Sequence, residues 1–475
     1  MRRPTTTAPS VRRRRRRVST GLAAGLAGLA CAGALAGAPT PFAPSPAGHL
    51  VLYRHAALVD VVAPAVRPDM DVLVDGERIR SVFPDAALAA QPAASAAVVD
   101  LHGQYLMPGL VDSHVHLATP PNRRQAEALL RRNLYGGVTA VRDMADDLRA
   151  LGDVARASRV GEIAAPDIHY AALMAGPDFF GDERTRLTSA GGLPGHVPWM
   201  QAVDDRTDLP LAVARAAGTF ATAIKLYADM TPALAARITA EAHRQHLLVW
   251  AHATLYPARP SEVVAAGVDA ISHACLLVRE PDARVPRFAE PRTPVALAPF
   301  EAGDNPALAR LFKSMIQRHV ILDATVWTYA PPPQRGTPGS TPALTPGSCD
   351  DRVGGAITGQ AYRAGVDIAA GTDNVAPESD AWPDLLHEMA ALVERDGMPP
   401  AAVLRSATLL GARAAGQERD LGSIEPGKLA NLVVLEKDPL AAVDNLRSVV
   451  MTIKRGQVFP RRDFVPLQEG DITDF

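Results

Sequence analysis

The chain has 475 residues, 47% of them hydrophobic, enough for a large core and too much for one minimal domain. Its formal charge of −2 hides an asymmetry. Residues 1–36 carry eight arginines and no acid, which leaves 41 basic against 51 acidic residues, a balance of −10 that gives no support to nucleic-acid binding.

Taken in order, residues 1–36 read as an export signal. Arg2, Arg3 and Arg12 to Arg17 precede an uncharged Gly/Ala/Leu run and a small-residue site at Ala34-Leu35-Ala36. Arg16-Arg17 before that weakly apolar run fits the twin-arginine route, so a periplasmic or secreted destination is expected. Cys31 after Gly28-Leu29-Ala30 also offers a lipid-anchor site, disfavoured by the small Gly28. No later segment approaches the ~20 apolar residues of a membrane span. Cys275 and Cys349 are too few for a disulfide scaffold, and the sequence leaves open whether they pair. Cys275 reads as a small packing residue ahead of a soft metal ligand.

Residues 49–107 show short strands around His49–Tyr53, Met70–Val74 and Ile79–Val82, with Asp75-Gly76 as a hairpin signal. Strand patterns return at Asn431–Leu435 and Val449–Ile453, so 49–107 and 421–465 are expected to meet in one small β-sandwich. Between them, residues 108–420 alternate strand and helix. Strands are expected at Leu110–Leu117 and near Val138, Ile168, Ile224, Val249, Ala270, Leu322 and Ile368. Helical patterns precede them, as over Arg124–Leu134, Leu211–Thr219 and Thr231–Gln245. Eight such units predict a (β/α)8 barrel, an α/β fold whose chemistry sits at the C-terminal strand ends. Three long gaps open on that rim, at 176–199, 277–297 and 329–347.

The strand ends carry the chemistry. His114-Val115-His116 puts two imidazoles on one face of a strand, a geometry that suits a metal ion as well as buried hydrogen bonding. Four further apolar segments end in Lys225, His252, His273 and Asp373. Taken singly, each has a structural reading: Lys225 could pair with an acid such as Asp229, and Asp373 could cap a helix.

These motifs, with Ala251-His252-Ala253, Ser272-His273-Ala274, Gly371-Thr372-Asp373 and the segment Leu421-Gly422-Ser423-Ile424-Glu425-Pro426-Gly427-Lys428-Leu429-Ala430-Asn431-Leu432-Val433-Val434-Leu435, resemble the amidohydrolase superfamily. Gly137-Val138-Thr139-Ala140-Val141-Arg142-Asp143 adds a likeness to the branch with imidazolonepropionase-related enzymes and Xaa-Pro dipeptidases. The resemblance implies two divalent ions, with zinc preferred for a histidine and carboxylate set. His114, His116 and Asp373 would hold one, and His252 and His273 the other. Like charges so close need an anionic bridge. A lysine can supply it only as a CO2-derived carbamate, which the resemblance implies for Lys225.

A hydroxide shared by the metals would attack a small-molecule substrate, with Asp373 as catalytic proton shuttle. The expected activity is cleavage of a C–N bond in a small amide, dipeptide or cyclic ureide. The alternatives are an esterase, lactonase or phosphotriesterase on the same site, or a non-catalytic binding protein on the same barrel. Candidate substrate contacts are Tyr227, His196 in a Gly-rich loop, and Arg142 as a carboxylate clamp. For Arg142-Asp143 a structural ion pair is the better reading, and His387-Glu388 reads as structural.

Overall fold

Two sheets organise the chain. The computed structural model describes residues 48–90, 95–119, 121–291, 296–330, 349–373 and 380–466, so the expected export signal, Cys31 and most of the third long gap lie outside the described residues. The first sheet is mixed and takes strands from both ends of the chain. Its order is Gln457–Pro460, Val449–Lys454, Leu432–Leu435, Tyr105–Pro108, Leu50–Asp60, Ala65–Asp75 and Arg78–Pro84, with Ala97–Asp100 also on Leu50–Asp60. The ends meet where Leu432–Leu435 runs antiparallel to Tyr105–Pro108. Alternate residues turn inward there, so Tyr53, Val72, Leu106, Leu432 and Ile453 share one buried cluster. The hairpin signal at Asp75-Gly76 is a tight turn, with Asp75 paired to Arg78 and Gly76 at φ +58°.

The second sheet is the barrel. Its parallel strands, numbered here on their own, are β1 (Leu110–Val115), β2 (Val138–Asp143), β3 (Asp167–Ala175), β4 (Ala223–Leu226), β5 (Leu248–His252), β6 (Ala270–Ser272), β7 (Ile321–Asp323) and β8 (Ile368–Ala369). Each pairs with the next. The ring closes where the Ser113 amide donates to Ala370 O at 2.9 Å and the Asp373 amide to His114 O at 2.9 Å. Trp250 fills the interior, with Ala171, Ala223, Ala270 and Ala369 leaving room for it.

The first long gap is more ordered than its Gly/Pro content suggested. It forms a 3-10 turn at Pro177–Gly181, a helix at Glu183–Thr188 and a hairpin of His196–Val197 and Met200–Ala202. The hairpin returns to pair with the C-terminal end of β3, so this excursion builds a wall above the barrel mouth. Cys275 and Cys349 form a disulfide across 74 positions, tying the turn after β6 to the start of helix Asp351–Ala364. Cys275 is therefore neither a ligand nor a mere packing residue.

One buried acid has no role in the site. Asp396 is 4% exposed, and among the described residues neither of its oxygens has a hydrogen-bond partner. It packs on Gly355 and Gly359, where a Cβ would lie 2.7 Å from Asp396 Oδ1 and 2.3 Å from its carbonyl oxygen. Burial pushes its pKa well above the ordinary carboxylate range. A raised carboxyl stabilises the fold fully at low pH and loses that contribution as pH rises through the folded value. Asp396→Asn is thus expected to gain on the parent between pH 5 and pH 8. The gain at pH 8 should reach about 1 kcal/mol or more, the worth of one pKa unit. Thermal melts across that range check it, and parallel melting curves would refute it.

Candidate active site

The strand ends that carry polar side chains converge on one cavity of about 490 Å3 at the barrel mouth. His114, His116, Lys225, His252, His273 and Asp373 all line it. His114 lies one residue before the end of β1 and is buried, whereas His116, one residue beyond the strand, is about one-third exposed. Their ring centroids lie 5.6 Å apart, His114 lies 4.8 Å from His273, and His252 lies 4.7 Å from His273. Asp373 sits among them. Its Oδ1 is 3.4 Å from Nε2 of both His114 and His116, and its Oδ2 is 3.6 Å from His273 Nδ1.

Three of the four imidazoles have a partner on Nδ1. His114 Nδ1 donates to Asp323 Oδ2 at 2.7 Å, His116 Nδ1 to Asp146 Oδ1 at 3.0 Å, and His273 Nδ1 lies 2.8 Å from Thr325 Oγ1. With Nδ1 engaged, Nε2 of His114 and of His116 is left as the donor facing Asp373. Asp146 also accepts the amides of Leu117 and Ala118, fixing the chain just past His116. Thr372 donates its amide and hydroxyl to Asp112, which seats the turn carrying Asp373. Gly371 is required there, because a Cβ would stand 2.3 Å from Asp323 Oδ1 and 2.7 Å from His114 Cβ. Several residues past the strand ends hold left-handed backbones, among them Ala145, Asp229, His273, Thr325 and Asp373. Such positions cost on the order of 1–3 kcal/mol each and persist where the surroundings overdetermine them.

The electrostatics suit a cation. Burial is the largest influence on three of the imidazoles. It lowers His114, holds His252 well below the ordinary value and takes His273 down to about 3, so these rings are neutral donors. Burial also brings the Lys225 amine down to about 7. For His116 burial acts the same way, but Asp146 and Asp373 overcome it and hold the ring well above its ordinary value. Burial alone would raise Asp373, yet the surrounding histidines, His114 foremost, keep it well below the carboxylate range. Neutral nitrogen donors around an ionised carboxylate form a donor set that fits a divalent metal. His114, His273 and Asp373 each offer a ligand atom within 4.8 Å of the others.

The remaining candidates separate. Tyr227 lines the cavity, its ring 3.9 Å from that of His252. His196 lies exposed on the rim hairpin, and its carbonyl accepts from Arg215; it is not among the lining residues. Arg142 is fully buried beneath the site, where it donates to Ser113 O and Asp323 Oδ2 and lies 4.6 Å over the Trp250 ring. It is no substrate clamp, and its ionic partner is Asp323 rather than the adjacent Asp143. Lys225 does not pair with Asp229 either. Its Nζ lies 3.2 Å from Ser272 Oγ, while Asp229 accepts the Asp178 amide and fastens the first rim excursion.

Sequence reasoning missed Asp323, Thr325 and Asp146, while Glu388 has the structural role expected of it. Asp323 ends β7 as His252 ends β5, so the same strand-end reading would have found it. Glu388 is buried in a helix, accepts the amides of Val326 and Trp327 and so steadies the turn bearing Thr325; burial pushes its carboxyl up to about 8.

Comparison with known proteins agrees with this geometry. The amidohydrolase family model matches residues 352–459, a stretch that includes Asp373 and the 421–435 segment. The adenine deaminase of Rubrobacter xylanophilus is 39% identical over 67 residues, 14% of this chain and 11% of that protein. Among solved structures, a Xaa-Pro dipeptidase with methionine bound in its active site aligns with a TM-score of 0.68 at 20% identity. That match covers 86% of this chain and 100% of the other. The ochratoxinase of A. niger gives 0.66 at 20% identity over 87% and 96%. At such identities the likeness is one of fold. With the family model matched over residues 352–459 of that fold, and with the strand-end motifs in their places, the chain resembles the amidohydrolase superfamily.

Proposed function

We propose that this chain is an exported, metal-dependent hydrolase that cleaves a C–N bond in a small amide, dipeptide or cyclic ureide. One observation carries the reading: six metal-competent side chains from five barrel strands line a single cavity. His114, His116 and Asp373 would hold one ion, and His252 and His273 a second, with Lys225 as carbamate between them. Zinc suits the nitrogen and carboxylate donors. Divalent ions bound there polarise a carbonyl and generate a nucleophile from water near neutral pH.

The chain's own groups supply the rest. Asp373, kept ionised by the histidines, takes a proton from the attacking water and returns it to the leaving nitrogen. Lys225 sits buried beside Ser272 with its amine near neutrality, the form that adds to CO2. Leu129, Leu173, Met200 and Leu276 give the cavity apolar walls that limit bulk water. Export is supported by the arginine-led segment at residues 1–36 and by the Cys275–Cys349 disulfide, which persists in oxidising compartments.

Elemental analysis of the purified full chain should find about two divalent ions per molecule. Chelation should abolish hydrolysis of an amide and dipeptide panel, and zinc should restore it. Full activity in a metal-free sample would refute the reading. Turnover of esters or phosphotriesters with no amide turned over would move it to that rival class.

A further inference from the structure

One cationic side chain lines the cavity without belonging to the metal set. Arg184 stands on the helix Glu183–Thr188 of the first rim excursion, directly above Tyr227. Its Nε and Nη2 donate to Asp182 at 3.0 and 2.7 Å, and its Nη2 lies 3.3 Å from the Tyr227 hydroxyl. Tyr227 in turn has its ring 3.9 Å from that of His252, so a single aromatic ring separates the guanidinium from the metal-competent cluster. Asp182 fixes the plane of the fork, which leaves little freedom to be lost on binding. The second amino group, Nη1, has no acceptor among the described residues. The lining also includes the apolar and aromatic side chains of Leu129, Met144, Leu173, Phe179, Met200 and Phe288.

We infer that Arg184 is a specificity-determining residue that reads a carboxylate on the substrate, which makes the substrate class N-acylated amino acids or dipeptides with an apolar side chain and not neutral cyclic ureides. The inference rests on the hydrolase reading for the role of the bound molecule, but binding tests it separately. A carboxylate set against Nη1 gains a charge-assisted hydrogen bond that a carboxamide cannot match. Asp182 already balances much of the guanidinium charge, so the preference comes from fixed geometry more than from net attraction. Tyr227 is held by Arg184 and acts as a spacer between the carboxylate and the scissile carbonyl.

The test uses the metal-loaded full chain with two probes, N-acetyl-L-phenylalanine and N-acetyl-L-phenylalaninamide, their dissociation constants measured by calorimetry. The parent should prefer the carboxylate by at least about tenfold. In Arg184→Gln that preference should fall below about threefold, and Arg184→Lys, which keeps charge without the fork, should lie between. Equal affinities in the parent, or a preference that survives in Arg184→Gln, would overturn the assignment, the latter because the metals would then be reading the carboxylate. Turnover of the same probes reports on the hydrolase reading independently. Cleavage without a preference sinks the Arg184 assignment alone, and a preference lost in Arg184→Gln without cleavage of any amide sinks the hydrolase reading alone.

Discussion

Asp373→Asn is expected to lower kcat by about two to four orders of magnitude on any amide the parent cleaves, the range that positioned proton transfer contributes. The substitution keeps shape and volume while removing the carboxylate that stands among the histidines of the cavity. Its oxygens stand within 3.6 Å of three imidazoles. The pH dependence has a definite sign. Because the histidines hold Asp373 well below the ordinary carboxylate range, its protonation removes activity only on the acid side of that range. Activity that falls between pH 5 and pH 7 must have another origin. Rates across pH, with metal content determined on each sample, check both statements. A variant that keeps parental kcat with its metals in place would remove Asp373 from the chemistry.

The barrel was legible because its signals are local and repeated. His114-Val115-His116 lies within one strand, and the residues at 225, 252, 273 and 373 each close an apolar run, so period and position were enough to bring them to one rim. Features that depend on long-range geometry were not legible. Arg142 and Asp143 are neighbours in sequence, but the barrel turns Arg142 inward to Asp323, 181 positions away. Nothing in the sequence between Cys275 and Cys349, 74 positions apart, announces that they meet. His196 looked chemical because it sat among glycines, yet those glycines shape a hairpin on which His196 faces solvent. Arg184 drew no notice because Asp-Glu-Arg at a helix start is ordinary surface sequence. Only the fold of the first rim excursion sets it over Tyr227.

Asp323 carries the second large effect, and it acts through others. Fully buried, its Oδ2 accepts from His114 Nδ1 at 2.7 Å, Ser272 Oγ at 2.9 Å and Arg142 Nη2 at 3.0 Å. Through Ser272 it also reaches Lys225, whose Nζ lies 3.2 Å from the same hydroxyl. One carboxylate thus orients a candidate ligand on β1 and a candidate bridge on β4, and it balances the arginine packed on Trp250. In Asp323→Ala the Arg142 guanidinium is left buried without its counter-charge, which should cost about 3–5 kcal/mol of stability. Asp323→Asn is the sharper test, because it keeps the volume. An amide nitrogen facing His114 Nδ1 would make that atom an acceptor and move the ring proton to Nε2, the atom that faces Asp373. Metal affinity should then fall about 10–100-fold, the usual effect of losing such an orienting partner. Burial alone would raise the Asp323 pKa, but His114 and Arg142 hold it below the ordinary value. Its stabilisation is therefore present above the unfolded carboxylate pKa and lost as pH falls below it. The asparagine variant should lack that acid-side loss while binding metal more weakly at pH 7. Chelator competition and melts taken from pH 3 to pH 7 read the two effects separately. Parental metal affinity in Asp323→Asn would show that His114 needs no partner on Nδ1 to present Nε2.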